Sequence, residues 1–249
     1  MKRLPLLNGR VALNLLARDA ANAREVWEAT EGHAVIGVLL ADHPSVEAAV
    51  HQVRSFREVI PVVSVGLGAG DPNQWQRVVD TALQTDPGHV NQVFPAAGYT
   101  VGALRAQGMA GGNVVNALVS PTGTPGRVII STGPRSRHTP AAEVDCATAA
   151  AMLAEVGVDS VKFFPIDGDA RLPEVAAMAR AAAEAGIPVF EPTGGITVAN
   201  VARVVATCLE AGSPVVMPHI YSAIIDKETG RTRPADAAAL LAEIRRVVG

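Results

Sequence analysis

The chain has 249 residues and a formal net charge of −3 at pH 7, and it is 49% hydrophobic but only 4% aromatic. Its length fits one large domain or two small ones. The weak negative charge and the lack of a basic block argue against nucleic acid or an anionic membrane as partner. No apolar run reaches the roughly 20 residues of a membrane span, and the N-terminus makes a poor signal peptide. We therefore expect a cytoplasmic globular protein with an aliphatic core.

Eight short β-branched runs recur along the chain, each followed by a turn and a helical pattern. The runs are Val11–Leu16, Val35–Leu40, Val62–Gly66, His89–Phe94, Val114–Val119, Ser160–Phe164, Ile187–Glu191 and Val215–Pro218. Strands that alternate with helices pair in parallel, and apolar runs of this kind are covered on both faces. Eight such units predict a single (β/α)8 TIM barrel, one domain over residues 1–249.

An open doubly wound sheet is the alternative fold. The glycine-rich stretch Gly66–Gly70 follows the third strand and lacks the spacing of a dinucleotide-binding turn, which disfavours that alternative. Helix start signals support the alternation: Asp71-Pro72 after the third strand, Asp145, Pro173, and Thr197 as the cap of a helix after the seventh strand.

One segment does not fit a simple barrel repeat. Residues 121–140 hold four prolines and three glycines around a short strand, Val128–Ser131. Long loops of this kind are usually functional or disordered. We expect a hairpin excursion after strand five that lies over the barrel mouth.

Lys162 is the first candidate for chemistry. The chain contains only three lysines against eighteen arginines, and Lys162 lies within the apolar run Asp159–Pro165. Burial disfavours the charged form of an amine and lowers its pKa, and a neutral amine is what attack on a carbonyl requires. The alternative is a lysine at a strand end whose ammonium reaches water.

The ends of the seventh and eighth strands also carry polar residues. In barrels of this kind, active residues come from the C-terminal ends of strands. Strand seven ends in Glu191–Thr197, and its Gly194-Gly195 pair is expected to lead directly into a helix N-terminus, which would form an anion site. The alternative for this pair is an ordinary tight turn. Strand eight ends in Met217–Ser222, which includes His219.

These motifs resemble a known family. Lys162–Pro165 followed by Phe190–Ile196 resembles the paired signature of 2-keto-3-deoxy-6-phosphogluconate (KDPG) aldolases and 4-hydroxy-2-oxoglutarate aldolases. The wider chain is similar to a longer subgroup, the KDGP-aldolase-type proteins associated with glucosaminate breakdown. The stretches shared with that subgroup are Val65–Gln74, Val90–Phe94, Asn116–Gly126, Pro218–Ser222 and Asp226–Gly230.

The resemblance implies a Schiff-base aldolase that cleaves 2-dehydro-3-deoxy-6-phosphogluconate to pyruvate and glyceraldehyde 3-phosphate, or 4-hydroxy-2-oxoglutarate as the alternative substrate. By position, Lys162 would form the imine, and Thr193, Gly194 and Gly195 would bind a carboxylate or phosphate. The expected ligand is thus a keto-acid sugar phosphate, with no cofactor. No cluster of His, Cys, Asp and Glu at metal-ligand spacing appears in the sequence, so no metal is expected either.

The chain departs from the shorter aldolases at the catalytic base. Those enzymes carry a glutamate in a Glu-Val-Thr motif at the end of strand two, whereas strand two here ends in Val38–Asp42. Glu191, one strand from Lys162, is the candidate base, with Asp42 in reserve. Glu191 could instead be a structural partner of an arginine.

Further polar residues near strand and hairpin ends are candidates for substrate contacts. Asn14, Asn91 and Ser131 could bind hydroxyls, Arg18 and Arg135 could pair with a carboxylate, and His219 and Ser222 could contact the phosphate or a hydroxyl. We also expect a homo-oligomer. Two other classes remain open: a non-catalytic sugar-phosphate binder, and a barrel isomerase or epimerase that uses carboxylates.

Overall fold

The computed structural model describes residues 4–249. The first three residues, part of the N-terminal segment considered above, lie outside the described residues. Among the described residues, no helix is both long and apolar enough to cross a membrane.

Within residues 4–249, ten strands and eight α-helices form the fold. The strands are β1 Leu13–Leu16, β2 Ala34–Leu39, β3 Val63–Gly66, β4 Gly88–Val90, β5 Val114–Pro121, β6 Arg127–Ile129, β7 Glu143–Asp145, β8 Ser160–Phe163, β9 Val189–Pro192 and β10 Val215–Val216. The helices are α1 Ala20–Ala29, α2 Val46–Arg57, α3 Trp75–Thr85, α4 Phe94–Ala106, α5 Cys146–Glu155, α6 Leu172–Glu184, α7 Val201–Glu210 and α8 Pro234–Val248.

Eight of the strands form the predicted barrel. They pair in parallel in the order β1-β2-β3-β4-β5-β8-β9-β10. Backbone bonds between the first and last strands close the ring: the amide of Asn14 donates to the carbonyl of Pro218 at 3.0 Å, and the amide of Ile220 donates to the carbonyl of Asn14 at 3.0 Å. The TIM-barrel prediction is confirmed.

Amphipathic helices cover the outside of the barrel. Helix α2 shows the pattern: the Ser45 side chain caps it, and its buried face carries Ala49, Val50, Val53 and Phe56. This face packs in a large aliphatic core between the helices and the outer side of the sheet. A second, smaller apolar cluster fills one end of the barrel interior, and we call it the apolar floor. Its members are Leu4, Ala12, Val35, Val62, Val114, Val189, Val215 and Met217.

The excursion after strand five is also confirmed, with one strand more than expected. Strand β5 turns into the antiparallel strand β6, which pairs in turn with the antiparallel strand β7. We call residues 122–145 the arm. The third strand, Glu143–Asp145, follows the segment that the prolines and glycines mark, so the composition alone did not indicate it.

Several predicted boundaries differ from the structure by one or two residues, and two are wrong by three or more. Strand four was expected to run to Phe94, but β4 ends at Val90 and Phe94 begins α4, because Pro95 in the first turn favours a helix start. The helix expected to begin at Thr197 begins at Val201. There the Asn200 side chain accepts from the Thr197 amide at 2.8 Å and holds a separate turn ahead of the helix. Gly194 and Gly195 therefore do not lead directly into the helix.

Candidate active site

Lys162 lies at the edge of a small cavity at the C-terminal end of the barrel strands. The volume of this cavity, which we call the Lys162 cavity, is about 60 Å³. Its lining comes from strands β2, β3, β5 and β8, from the glycine-rich loop after β3, and from residues that follow β4, β8, β9 and β10, namely Leu39, Gly66, Leu67, Gly68, Ala69, Gly70, Asn91, Gln92, Leu118, Lys162, Phe164, Thr193 and Tyr221. The side chain of Lys162 is half-buried, so a small ligand in the cavity would meet its amine.

Two polar side chains hold the Lys162 amine. Nζ donates to Oδ1 of Asn91 at 3.1 Å and lies 3.2 Å from Nδ1 of His219. Burial lowers the pKa of Lys162 to about 8, and the charge of Glu191 opposes this shift only in part. At neutral pH a usable fraction of the amine is therefore neutral, as nucleophilic attack requires.

Glu191 is fully buried beneath the lysine and receives four hydrogen bonds. His89 Nε2 and Ser160 Oγ bond Oε1 at 2.9 and 2.5 Å, and Asn116 Nδ2 and His219 Nε2 both bond Oε2 at 2.7 Å. Burial alone would raise the pKa of this carboxyl. The hydrogen bonds that His89 and His219 donate to it instead hold the pKa of Glu191 well below its usual range. Glu191 is thus a carboxylate that accepts on both oxygens.

The hydrogen bonds fix which ring nitrogen of each histidine carries a hydrogen. Because the Glu191 carboxylate can only accept, Nε2 carries the hydrogen in both His89 and His219. The Nδ1 atom of His89 then accepts from the hydroxyl of Ser64 at 2.8 Å. The Nδ1 atom of His219 faces Lys162 as an acceptor. Burial, followed by the charge of Lys162, lowers the pKa of His219 to about 3, which agrees with a neutral ring.

These side chains belong to a connected set that we call the polar layer. Its members are Asn14, Ser64, His89, Asn91, Asn116, Ser160, Glu191 and His219, all fully or almost fully buried. Asn14 bonds Ser64 at 3.1 Å, and Asn91 bonds Ser64 at 2.8 Å. Tyr221, beside the layer, donates to Asn14 at 3.1 Å and lies 3.1 Å from Nδ1 of His219. Lys162 therefore lies on a preorganised polar support.

Thr193 and the two glycines after it differ in position. Thr193 lines the Lys162 cavity. Gly194 and Gly195 instead pack against the loop after β8, where the Gly168 amide donates to the carbonyl of Gly194 at 2.9 Å. A Cβ on Gly195 would lie 2.4 Å from the Gly168 nitrogen, and its φ is +72°. The close approach of the two backbone segments by itself therefore requires glycine at position 195.

The arm brings a different arginine to the site from the one expected. Next to the Lys162 cavity is a larger cavity of about 510 Å³, the arm cavity, whose polar lining includes Asp71, Ser131 and Arg137. The two cavities share the wall formed by Ala69, Gly70, Leu118 and Phe164. Arg135 lies in a separate apolar depression beside Trp75 and Tyr99.

The remaining predicted residues lie farther from the amine. Asp42 is exposed and shares a third cavity of about 290 Å³, the mouth cavity, with Arg18. The Arg18 guanidinium donates to the backbone carbonyl of Thr229. Ser222 is exposed at the start of a short 3-10 turn, Ser222–Ile224.

Several site residues were missed by the sequence analysis. Ser64, His89, Asn116 and Ser160 are polar residues at inward-facing positions of otherwise mostly apolar strands. A polar residue at such a position departs from the apolar strand pattern, and this departure could have identified these site residues from the sequence. Among the described residues, no group of three or more His, Cys, Asp or Glu side chains is placed to hold a metal ion.

Comparison with known proteins decides the family. The family model for KDGP aldolase matches residues 7–228. A 2-dehydro-3-deoxy-phosphogluconate aldolase from Salmonella typhimurium (strain 14028s / SGSC 2262) is 48% identical over 248 residues, which cover 100% of both chains. The chain belongs to the KDGP aldolase family. It is therefore an aldolase, a carbon–carbon lyase, as the motifs indicated.

Solved structures outside the family share the fold alone. Thiamine phosphate pyrophosphorylase from Pyrococcus furiosus is 16% identical with a TM-score of 0.59, covering 98% of this chain and 100% of its own. The carboxyl transferase domain of Rhizobium etli pyruvate carboxylase with pyruvate is 15% identical with a TM-score of 0.56, covering 96% of this chain and 46% of its own. Both similarities agree with the barrel architecture of the aldolase.

Proposed function

We propose that this aldolase works through a Schiff base on Lys162 and cleaves 2-dehydro-3-deoxy-6-phosphogluconate to pyruvate and glyceraldehyde 3-phosphate. The observation that carries the mechanism is the Lys162 amine, which opens on a cavity, has a pKa of about 8, and is held by an amide and a neutral imidazole. The Salmonella typhimurium relative, a 2-dehydro-3-deoxy-phosphogluconate aldolase, supports the choice of substrate.

The proposed reaction follows from a neutral amine beside a keto acid. Lys162 attacks the C2 ketone, water leaves, and the protonated imine becomes an electron sink. The C4 hydroxyl loses its proton, the C3–C4 bond breaks, and its electrons form an enamine while the aldehyde departs. Protonation of the enamine at C3 and hydrolysis of the imine then release pyruvate and the free lysine.

Trapping with borohydride tests the mechanism. Pyruvate and borohydride together should add a reduced three-carbon adduct to Lys162, and peptide mapping locates it. Lys227, which is exposed at the barrel mouth, serves as the internal control for nonspecific modification. An adduct on Lys227 instead, or no adduct, would overturn the Schiff-base proposal and favour a carboxylate-dependent isomerase or a sugar-phosphate binder.

Two features beside the Lys162 cavity suit the phosphate of the proposed substrate. One is the turn at Gly194 and Gly195, which directly follows Thr193 of the cavity wall, and the other is Arg137 in the arm cavity, whose guanidinium can pair with a phosphate. Remote binding energy of this kind helps to orient the reacting carbon. The phosphorylated six-carbon substrate should therefore have the higher kcat/KM, and equal values for the dephosphorylated analogue would favour 4-hydroxy-2-oxoglutarate.

A matched pair of arginine variants tests the contribution of the arm. Arg137→Ala should raise KM for the phosphorylated substrate and leave the dephosphorylated analogue unaffected. Arg135→Ala removes the same charge two residues away, from a depression outside the arm cavity, and should change neither value. If both variants behave alike, the arm contributes only the electrostatic potential of its positive charges. The turn at Gly194 and Gly195 is then the better candidate for the phosphate site.

A further inference from the structure

His219 lies directly between Glu191 and the amine of Lys162. Its Nε2 is 2.7 Å from Oε2 of Glu191, and its Nδ1 is 3.2 Å from Nζ of Lys162. The residue follows β10, where backbone bridges to Asn14 and Thr193 fix its position. The ring is thus held at both nitrogens and by its own backbone.

The ring is set to accept a proton on the side of the lysine. Nε2 carries its hydrogen toward Glu191, so the lone pair of Nδ1 points at Nζ of Lys162. A buried carboxylate behind an imidazole fixes the tautomer and stabilises an imidazolium that forms during reaction. The low pKa of His219, about 3, keeps the ring neutral before reaction.

Glu191 lacks direct access to the reacting atoms. Both of its oxygens are occupied by four donors and its side chain is fully buried, whereas Nδ1 of His219 lies 3.2 Å from Nζ of Lys162. A proton leaving Nζ of Lys162 meets Nδ1 of His219 first. The carboxylate predicted from the sequence as the base is therefore better placed to act through His219.

We propose that His219 is the residue that moves protons at the imine-forming carbon, and that Glu191 is its positioning residue. This inference rests on the proposed Schiff-base function. The Lys162 ammonium gives up one proton to solvent, becomes the nucleophile and attacks C2. Nδ1 of His219 then takes a proton from the attached nitrogen and delivers it to the C2 oxygen, and the resulting hydroxyl leaves as water after it takes one proton back from solvent. One ammonium and one ketone thus give one protonated imine and one water, and His219 ends neutral.

The charges around the ring come from several elements. Lys162 on β8 and Glu191 on β9 contact it directly, and Tyr221 lies on the Nδ1 side. His89 of β4 faces it across the Glu191 carboxylate, with the two ring centroids 6.2 Å apart. His89 bonds the same carboxylate, whereas the Lys162 amine contacts Asn91 and His219, so His89 offers a matched control.

The test measures the rate of imine formation by quenching pyruvate–enzyme mixtures with borohydride at successive times. His219→Gln should lower this rate by about 10²–10⁴-fold, the usual contribution of a positioned acid–base group. Prolonged incubation should still label Lys162. His89→Gln should lose less than about tenfold, because it loses no group beside Nζ.

The outcomes separate this inference from the proposed function. If the wild-type enzyme forms no adduct, the Schiff-base mechanism itself fails. If the wild type traps at Lys162 and His219→Gln traps just as fast, the role of His219 is overturned. An equal loss in His89→Gln would also overturn it, since the two histidines would then act only by holding Glu191.

Rescue by a small added base distinguishes proton transfer by His219 from a purely structural role. Added imidazole should raise the trapping rate of His219→Ala several-fold, because the vacated space borders the amine of Lys162. His89→Ala should show no such response, because its space lies behind Glu191. A rate for His219→Ala that is independent of imidazole would contradict a proton-transfer role.

Discussion

The apolar floor and the polar layer occupy successive levels of the same barrel interior. Side chains two residues apart on a strand share a face, so one strand supplies both levels. The floor and layer partners are Ala12 and Asn14, Val62 and Ser64, Val114 and Asn116, Val189 and Glu191, and Met217 and His219. At the lower position the strand carries an aliphatic group, and at the next position it carries a polar one.

The two levels differ in how their side chains are stabilised. Barrel interiors are usually filled by branched aliphatic side chains, as the floor is. A buried polar group costs free energy unless it is hydrogen-bonded. Among the described residues, the buried side-chain atoms without a partner are Oγ1 of Thr81 and Oγ of Ser213, and neither belongs to the polar layer. The layer is a fully bonded network that supports one amine.

The largest expected effect is at Lys162, above the polar layer. Lys162→Met keeps most of the volume and removes the nucleophile, so we expect a folded protein with no measurable turnover and no pyruvate adduct. Turnover assays and circular dichroism check the two parts. Residual activity near that of the wild type would show that the polar layer supports a different group.

The Lys162→Met variant also tests how the stability of the protein depends on pH. The folded-state pKa of Lys162 is about 8, below the ordinary lysine value of about 10.4. Between these values the unfolded chain keeps a proton that the folded chain has lost, so this lysine makes stability rise with pH. Denaturant titrations should show the rise in the wild type and lose it in Lys162→Met. Imine formation should increase through pH 8 and then level off.

The next largest effect contrasts two residues of β9. Glu191→Gln should reduce turnover about 10²-fold, since His219 loses its carboxylate partner, and should lower the free energy of unfolding by about 1–3 kcal/mol. Val189→Ala, on the floor, should lower that free energy by about 2 kcal/mol through lost burial and leave turnover within a few-fold. Equal catalytic losses would mean that the two levels are not functionally distinct.

The barrel was predictable from the sequence, and the polar layer was predictable only in part. Strand alternation, the Asp71 cap and the apolar face of α2 follow local rules, and the structure agrees with them. The contacts of Lys162 with Asn91 and His219 form because β4, β8 and β10 meet across the barrel. No local sequence pattern encodes that arrangement. The separation of Asp42 from Lys162 depends equally on tertiary packing.

A smaller effect, on stability, is expected at Gly195, outside both levels. A Cβ at this position would meet the backbone of Gly168, and its positive φ disfavours any other residue, so Gly195→Ala should cost about 1–3 kcal/mol. Gly102, within α4 and with open space at its Cβ, is the matched control, and Gly102→Ala should stabilise by about 0.5–1 kcal/mol. Thermal unfolding of both variants checks the pair. Similar shifts in the two would mean that loop packing does not explain the glycine at 195.

The smallest effect is expected at Asp42. This carboxylate is exposed in the mouth cavity, not beside the Lys162 amine, so Asp42→Asn should change turnover by about threefold or less, against the 10²–10⁴-fold of a true base. Because the proposed substrate is an anion, removing a nearby negative charge should raise kcat/KM slightly at low salt, and high salt should abolish the gain. Asp42→Glu keeps the charge and should show no gain. A loss in Asp42→Asn larger than that in Glu191→Gln would place the base at the end of strand two and leave the polar layer with a structural role.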